Sequence, residues 1–379
     1  MSNAVIVDFV RSPFTKAGRG ALTDVRPDDI ASQVAKGMLK RMDIDLGSID
    51  DLILGCAYPE GEQGLNLGRI TTYLAGLPNT VPGSTVNRLC GSSMQAIHIA
   101  AGSIAMGSGD AFLCGGIESM SRVKRGGFNR SPNPHLELVY PEAYISMGMT
   151  AENVAIKYSI SRHEQEKMAY ESHKKASIAL ENDKFNDEIV PIETKENFVS
   201  ADECIRPSTS MESMSNLKPA FIEDGTVTAA TSSPLTDGAA FTFVCSEKYA
   251  EENSLKPLAR VIGSSVAGCP PELMGIGPVN STEKLLKNMG LKIEDMDVIE
   301  LNEAFASQAL AVISELGIDS EKVNLHGGAM AIGHPLGASG ARITGKAATL
   351  LSEQGGKYAL ATMCVGGGMG ISTLLESMD

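Results

Sequence analysis

The chain has 379 residues, 46 of them acidic against 32 Lys and Arg, which gives a formal charge of −14; 43% of residues are hydrophobic, 39 are Gly and none is Trp. Such a field repels nucleic acid, and an anionic substrate would need a local group of cations. No apolar run approaches a membrane span, residues 1–6 lack a signal-peptide pattern, and the seven cysteines fall singly, so neither a disulfide framework nor a zinc site is expected and a cytoplasmic location fits.

The length predicts two or three domains. A strand over residues 4–7 is followed by a helix over about 28–42, a strand over 52–56 and a helix near 67–75. The stretch Val86-Asn87-Arg88-Leu89-Cys90-Gly91-Ser92-Ser93-Met94-Gln95-Ala96-Ile97 then turns from a short strand (83–87) into an uncharged, small-residue helix (92–105). Cys90 stands where strand gives way to helix, and unpaired N–H groups with the helix dipole favour a thiolate there. A strand over 111–114 ends in Gly115-Gly116-Ile117-Glu118-Ser119-Met120-Ser121. Strands and helices alternating at this spacing predict βαβ units and a mainly parallel sheet.

The texture changes over 122–240. Residues 122–140, rich in Gly, Pro, Asn and Arg, read as loop; helices are expected over 150–157 and 162–182, and a turn at 221–226 leads into a strand over 227–230. This segment reads as an insertion that covers a site. Alternation resumes at 257. The helix over 340–351, Gly355-Gly356, the strand over 358–363 and Cys364 repeat the earlier order of helix, Gly107-Ser108-Gly109, strand and Cys114. The fold class expected is therefore α/β: two similarly wound halves, with stacked sheets and helices outside and between them. The halves are 1–121 with about 241–256, and 257–379, with 122–240 inserted.

Four stretches carry chemistry, each at or beyond a strand's C-terminal end, where open α/β sheets place their sites. They are Asn87 to Ser93, Glu300-Leu301-Asn302-Glu303-Ala304-Phe305-Ala306, Gly327 to Gly340 around His334-Pro335, and Cys364-Val365-Gly366-Gly367-Gly368-Met369-Gly370. Neither glycine-rich run has the G-x-G-x-x-G spacing of a dinucleotide site. Taken singly, His334 is as readily a turn histidine, Cys364 a buried core sulfur and Asn302 a helix cap. The other cysteines, with His98, His135, His163, His173 and His326, are expected to be structural.

In these four motifs, their order and their spacing, the chain resembles the thiolase family, most closely the degradative 3-ketoacyl-CoA thiolases, over its whole length. The resemblance implies a five-layered αβαβα thiolase-like fold with an inserted loop domain. It implies that Cys90 is the nucleophile, His334 its base, and Cys364 the second acid/base. It gives one oxyanion to His334 and a water on Asn302, and the other to the N–H groups of Cys90 and Gly366. Met147, Arg206, Ala220, Phe221, Ala229, Ser233 and Leu235 would line the CoA path, with Ala304 and Phe305 near its reactive end. Arg206 is the phosphate or adenine contact expected there, with an ordinary surface cation as its alternative, and Ser233 could instead serve only its own turn.

CoA would be a substrate, with no other cofactor and no metal. The partners implied are acyl-CoA, a second copy in a homodimer or dimer of dimers, and a hydratase/dehydrogenase subunit. The expected reaction is thiolytic cleavage of 3-oxoacyl-CoA in β-oxidation. Its rivals are short-chain acetoacetyl-CoA thiolysis (acetyl-CoA C-acetyltransfer), a decarboxylating condensing enzyme, and a non-catalytic CoA-binding subunit. Ser146-Met147-Gly148, where the biosynthetic branch carries His-Met-Gly, favours the degradative branch.

Overall fold

In the computed structural model, which describes residues 3–378, the chain runs β1 (Ala4–Arg11), α1 (Pro27–Leu39), β2 (Asp51–Gly55), α2 (Leu67–Ala75), β3 (Gly83–Val86), α3 (Ser92–Met106) and β4 (Ala111–Ser119). A long excursion follows, with α4 (Met147–Lys157) and α5 (Arg162–Glu181) as its main helices, before β5 (Thr236–Ser246) and β6 (Ala259–Gly268). The remainder is α6 (Gly277–Met289), β7 (Val298–Leu301), α7 (Ala306–Leu316), α8 (Ser339–Gln354), β8 (Tyr358–Val365) and β9 (Met369–Glu376). Among the described residues no helix is long and apolar enough to cross a membrane.

The strands lie in the order β7-β8-β9-β6-β1-β5-β4-β2-β3. The two expected sheets are thus joined edge to edge, but only through Ala4↔Val261, Val5↔Arg260 and Ile6↔Ala259. The expected mainly parallel sheet is corrected. Only β2 with β3, β2 with β4, and β7 with β8 are parallel; the other neighbours, including β1–β5, β4–β5, β8–β9 and β9–β6, are antiparallel. Parallel pairing needs a crossover element, whereas β9 returns directly from β8 and β5 re-enters from the excursion.

Helices α1 and α2 bury Ile30, Val34, Met38 and Leu67 on the outer face of the N-terminal half. Helices α6 and α7 bury Leu285, Leu286 and Val312 on the outer face of the C-terminal half. Between the halves, α3 and α8 share a core through Met94, Ile97, Ile104, Ile343, Ala347 and Leu351. Five layers result. Strand β8 shows the alternation that divides them: Ala359, Ala361, Met363 and Val365 face the central helices, while Leu360 faces α6 and α7.

Helices α3 and α8 approach closely because their first turns are built from small residues. A Cβ on Gly340 would lie 2.4 Å from the Met94 nitrogen, and Ala341 N–H donates to Ser93 Oγ at 2.8 Å. A Cβ on Gly116 of β4 would meet the Gly337 carbonyl oxygen at 2.0 Å. Nothing larger fits at either glycine.

The expected strand over 227–230 is absent; Thr228 makes only an isolated bridge to Pro219. Side chains take the donors a neighbouring strand would have used. Glu152, 1% exposed, accepts from Thr226 and Val227 N–H, and threonine hydroxyls accept from Thr228 and Ala230 N–H. Residues 236–240, expected inside the insertion, already belong to β5.

A buried charge cluster ties the excursion to both halves. Arg11 of β1 is fully buried and forks onto Asp202 at 2.7 and 2.8 Å, while its Nε donates to Glu188 at 2.7 Å. Lys346 of α8 reaches the other Glu188 oxygen at 2.6 Å. Burial works against the Glu188 carboxylate, yet Lys346 and Arg11 outweigh it and hold it at about 2. Arg11→Met strands Asp202 in the interior and is expected to cost about 3–5 kcal/mol in urea unfolding; a loss below about 1 kcal/mol, the range of an exposed pair, would sink this account. Because Glu188 sits at about 2 when folded, against about 4.3 unfolded, its contribution is complete above the higher value. It is lost as pH falls towards the lower one, so Arg11→Met should unfold at higher pH during acid titration.

Candidate active site

The turn that carries Cys90 is set by its own side chains. After β3, Asn87 Oδ1 accepts from Leu89 N–H at 2.8 Å, and Ser92 Oγ accepts from Arg88 N–H at 2.9 Å and donates to the Leu89 carbonyl at 2.6 Å. These bonds hold Leu89 at φ +44°, an unfavourable region for a branched side chain, and bring Cys90 to the start of α3. Cys90 is half-buried, and the N–H groups of Gly366 and of Cys90 itself favour its charged form. The expected thiolate is corrected. Burial pushes the thiol up to about 11, the Glu118 carboxylate adds to this, and the two N–H groups with Arg125 offset only part of it. Near pH 7 the resting sulfur keeps its proton.

His334 precedes α8 and follows Gly333, whose φ of +116° turns the chain. Ser339 Oγ donates to the Pro335 carbonyl at 3.0 Å, so it accepts from His334 Nδ1–H at 2.6 Å. That bond assigns the tautomer and leaves Nε2 an acceptor, which receives an Asn302 Nδ2–H at 3.4 Å. Burial, helped by Arg342, lowers His334 to about 3, so the imidazole is neutral at physiological pH.

Cys364 lies near the end of β8, 1% exposed, on the face opposite Met363 and Val365, among Met147, Ala304 and Phe305. Burial first, then Cys90 and Cys269, raise its thiol well above the ordinary range. Asn302 is fully buried just beyond β7; its N–H donates to the Thr362 carbonyl at 3.0 Å, and its Oδ1 has no hydrogen-bond partner. The helix that follows is capped at Phe305, so Asn302 is not its cap. A Cβ on Gly366 would stand 3.0 Å from Leu89 Cδ1.

Cys90, His334, Cys364 and Gly366 line one cavity of about 480 Å³, together with Met147, Phe221, Ser233, Leu235, Ala304 and Phe305. Phe221 and Phe305 meet edge to face at 5.9 Å. Arg206, Ala220 and Ala229, expected along the CoA path, are exposed and outside this wall. The backbone N–H of Arg206 donates to His173 Nδ1 at 3.2 Å.

Four residues of this region were not singled out by the sequence reading. Ser339 stands five positions after His334, a spacing that a helix start makes meaningful. Glu118, fully buried, receives N–H bonds from Ala57, Tyr58 and Gly337 and the Gln63 amide, pinning the His334 turn to β4. Tyr58 and Arg125 line the cavity from two loops, and no local periodicity marks them. Among the described residues, no three His, Cys, Asp or Glu side chains group as a metal site would need.

Two family models match the chain, "Thiolase, N-terminal domain" over residues 4–248 and "Thiolase, C-terminal domain" over 255–377. The 3-ketoacyl-CoA thiolase of Bacillus subtilis is 47% identical, covering 99% of this chain and 100% of the relative; that of Saccharophagus degradans is 45% identical over 99% and 98%. Among solved structures, Bacillus anthracis acetyl-CoA acetyltransferase superposes with a TM-score of 0.91 at 40% identity, covering 100% of this chain and 99% of that one. Human mitochondrial 3-ketoacyl-CoA thiolase in complex with CoA gives 0.91 at 38%, covering 100% and 98%. With full-length kinship of this order on both halves, the chain belongs to the thiolase family.

Proposed function

We propose that this chain is a 3-ketoacyl-CoA thiolase that cleaves 3-oxoacyl-CoA with CoA into acetyl-CoA and a shortened acyl-CoA, in fatty acid β-oxidation. The observation that carries the reading is that two cysteines and a neutral histidine, drawn from three separate segments, line the same cavity. His334 Nε2 takes the Cys90 proton as the sulfur attacks the keto carbon, and the alkoxide formed rests on the N–H groups of Cys90 and Gly366. The C2–C3 bond breaks. The acetyl-CoA enolate is held by protonated His334 and by a water on Asn302, whose unpartnered Oδ1 supports that role.

Cys364 then gives its proton to C2, and acetyl-CoA departs. As a thiolate, Cys364 takes the proton of incoming CoA, whose sulfur attacks the acyl-Cys90 thioester. Cys90 leaves and recovers its proton from His334. Every proton is returned, and CoA is consumed as a substrate.

The Met147, Phe221, Ser233 and Leu235 side of the cavity would take the pantetheine arm. Arg206, Ala220 and Ala229, outside the wall, would serve only the distal part of CoA. A cytoplasmic dimer or dimer of dimers completes the reading, and the open sheet edge at β3 supports assembly. Docking on a hydratase/dehydrogenase subunit belongs to the same proposal. The likeness to an acetyl-CoA acetyltransferase structure favours short-chain acetoacetyl-CoA as the second reading. Comparing kcat/KM for acetoacetyl-CoA with that for C8 and C16 3-oxoacyl-CoA decides between them: the degradative reading expects the longer chains to be preferred.

Cys364→Ala should lower thiolysis about 10²–10⁴-fold while iodoacetamide still labels Cys90 and substrate still protects it; near-normal turnover would refute the acid/base role. In His334→Ala, alkylation of Cys90 should quicken about tenfold per pH unit, because only the thiolate reacts, and level off near 11, the value to which burial raises the thiol. A plateau near 8 would show that the helix start, and not burial, governs the sulfur.

A further inference from the structure

The segment from Arg122 to Leu136 contains Arg122, Lys124, Arg125 and Arg130 and no acidic residue, in a chain of formal charge −14. Its cations are not equivalent. Arg122 is bound by Glu62. Among the described residues Arg125 is in no ion pair, and its guanidinium makes no hydrogen bond, yet it forms part of the catalytic cavity wall.

The carboxylates around it are engaged elsewhere. Glu60 accepts from Phe128 N–H at 2.6 Å, Glu62 holds Arg122, and Glu118 accepts from the N–H groups of Ala57, Tyr58 and Gly337, the Gln63 amide and the Cys56 thiol. The loop is held at this point by Phe128 N–H on Glu60, and Gly126 and Gly127 turn the chain at φ +96° and +75°. Apolar Met120 and Leu336 line the same cavity.

A chain that ended in a methyl group would find nothing here for an unpaired cation to do. CoA phosphates do not answer the need. The whole pantetheine arm separates them from the reacting thioester, whereas Arg125 lines the same cavity as Cys90, near enough for its charge to act on that sulfur. We propose that Arg125 determines specificity by pairing with a carboxylate at the far end of the acyl chain, which makes 3-oxo-dicarboxylyl-CoA thioesters a preferred substrate class of this cavity. The inference rests on the thiolase reading. The bond broken is the same C2–C3 bond, and the products are acetyl-CoA and an acyl-CoA that keeps its terminal carboxylate.

The test compares two six-carbon substrates, 3-oxoadipyl-CoA and 3-oxohexanoyl-CoA, in the wild-type protein and in Arg125→Met and Arg125→Lys. The wild type should favour the diacid in kcat/KM, and the preference should shrink with added salt. Arg125→Met should lower the diacid-to-monoacid ratio about tenfold, the worth of one charge-assisted hydrogen bond, and Arg125→Lys should restore part of it. An equal fall on both substrates would assign Arg125 to CoA or to the loop's shape and overturn the proposal. So would an unchanged ratio, or a wild type that turns over the monoacid only. A wild type that turns over neither would instead remove the thiolase reading on which it stands.

Discussion

Two helix starts held against each other are the constraint on which the site depends. Cys90 precedes α3 and His334 precedes α8, and these helices form the central layer. Their first turns meet through Gly340 against Met94 and Ser93 Oγ against Ala341 N–H. Cys90 and His334 therefore inherit their separation from the packing of the two halves, not from either loop alone. Glu118 reinforces this by binding the Tyr58 loop and the Gly337 turn with one buried carboxylate.

Within that frame, desolvation sets the protonation states. A helix start and two N–H groups favour a thiolate at Cys90, but removal from water outweighs them, and the same effect holds His334 neutral. The resting pair is a thiol beside an imidazole. In the proposed reaction charge develops only as the sulfur attacks, where preset donors count most. Ser339 has a matching part: by fixing the tautomer it keeps the proton off Nε2, the nitrogen proposed to receive one.

Much of this was legible in the amino-acid order. The strand-to-helix change at Cys90, the repeat of the two halves and the placing of Asn302, His334 and Cys364 beyond strand ends all follow from periodicity and turn residues. Three features did not. The strand expected over 227–230 gave way because Glu152, some 75 positions away, claims its N–H groups. Antiparallel β5 could not be distinguished from a parallel strand, since alternation of elements says nothing about how the chain re-enters a sheet. The raised thiols depend on burial by distant residues, which local composition does not carry. Tyr58 and Arg125 escaped for a similar reason: they reach the cavity from loops whose course is settled only after folding.

The position of β5 bears on how the protein is made. It lies between β1 and β4, although the whole excursion separates it from both in the chain. While the polypeptide leaves the ribosome, the first sheet must wait, with two unpaired edges, until residue 246 has emerged. For that interval the nascent chain presents apolar strands without their central partner, the condition in which intermediates associate with one another. Synthesis rate and chaperone supply, more than the stability of the finished molecule, would then limit its yield.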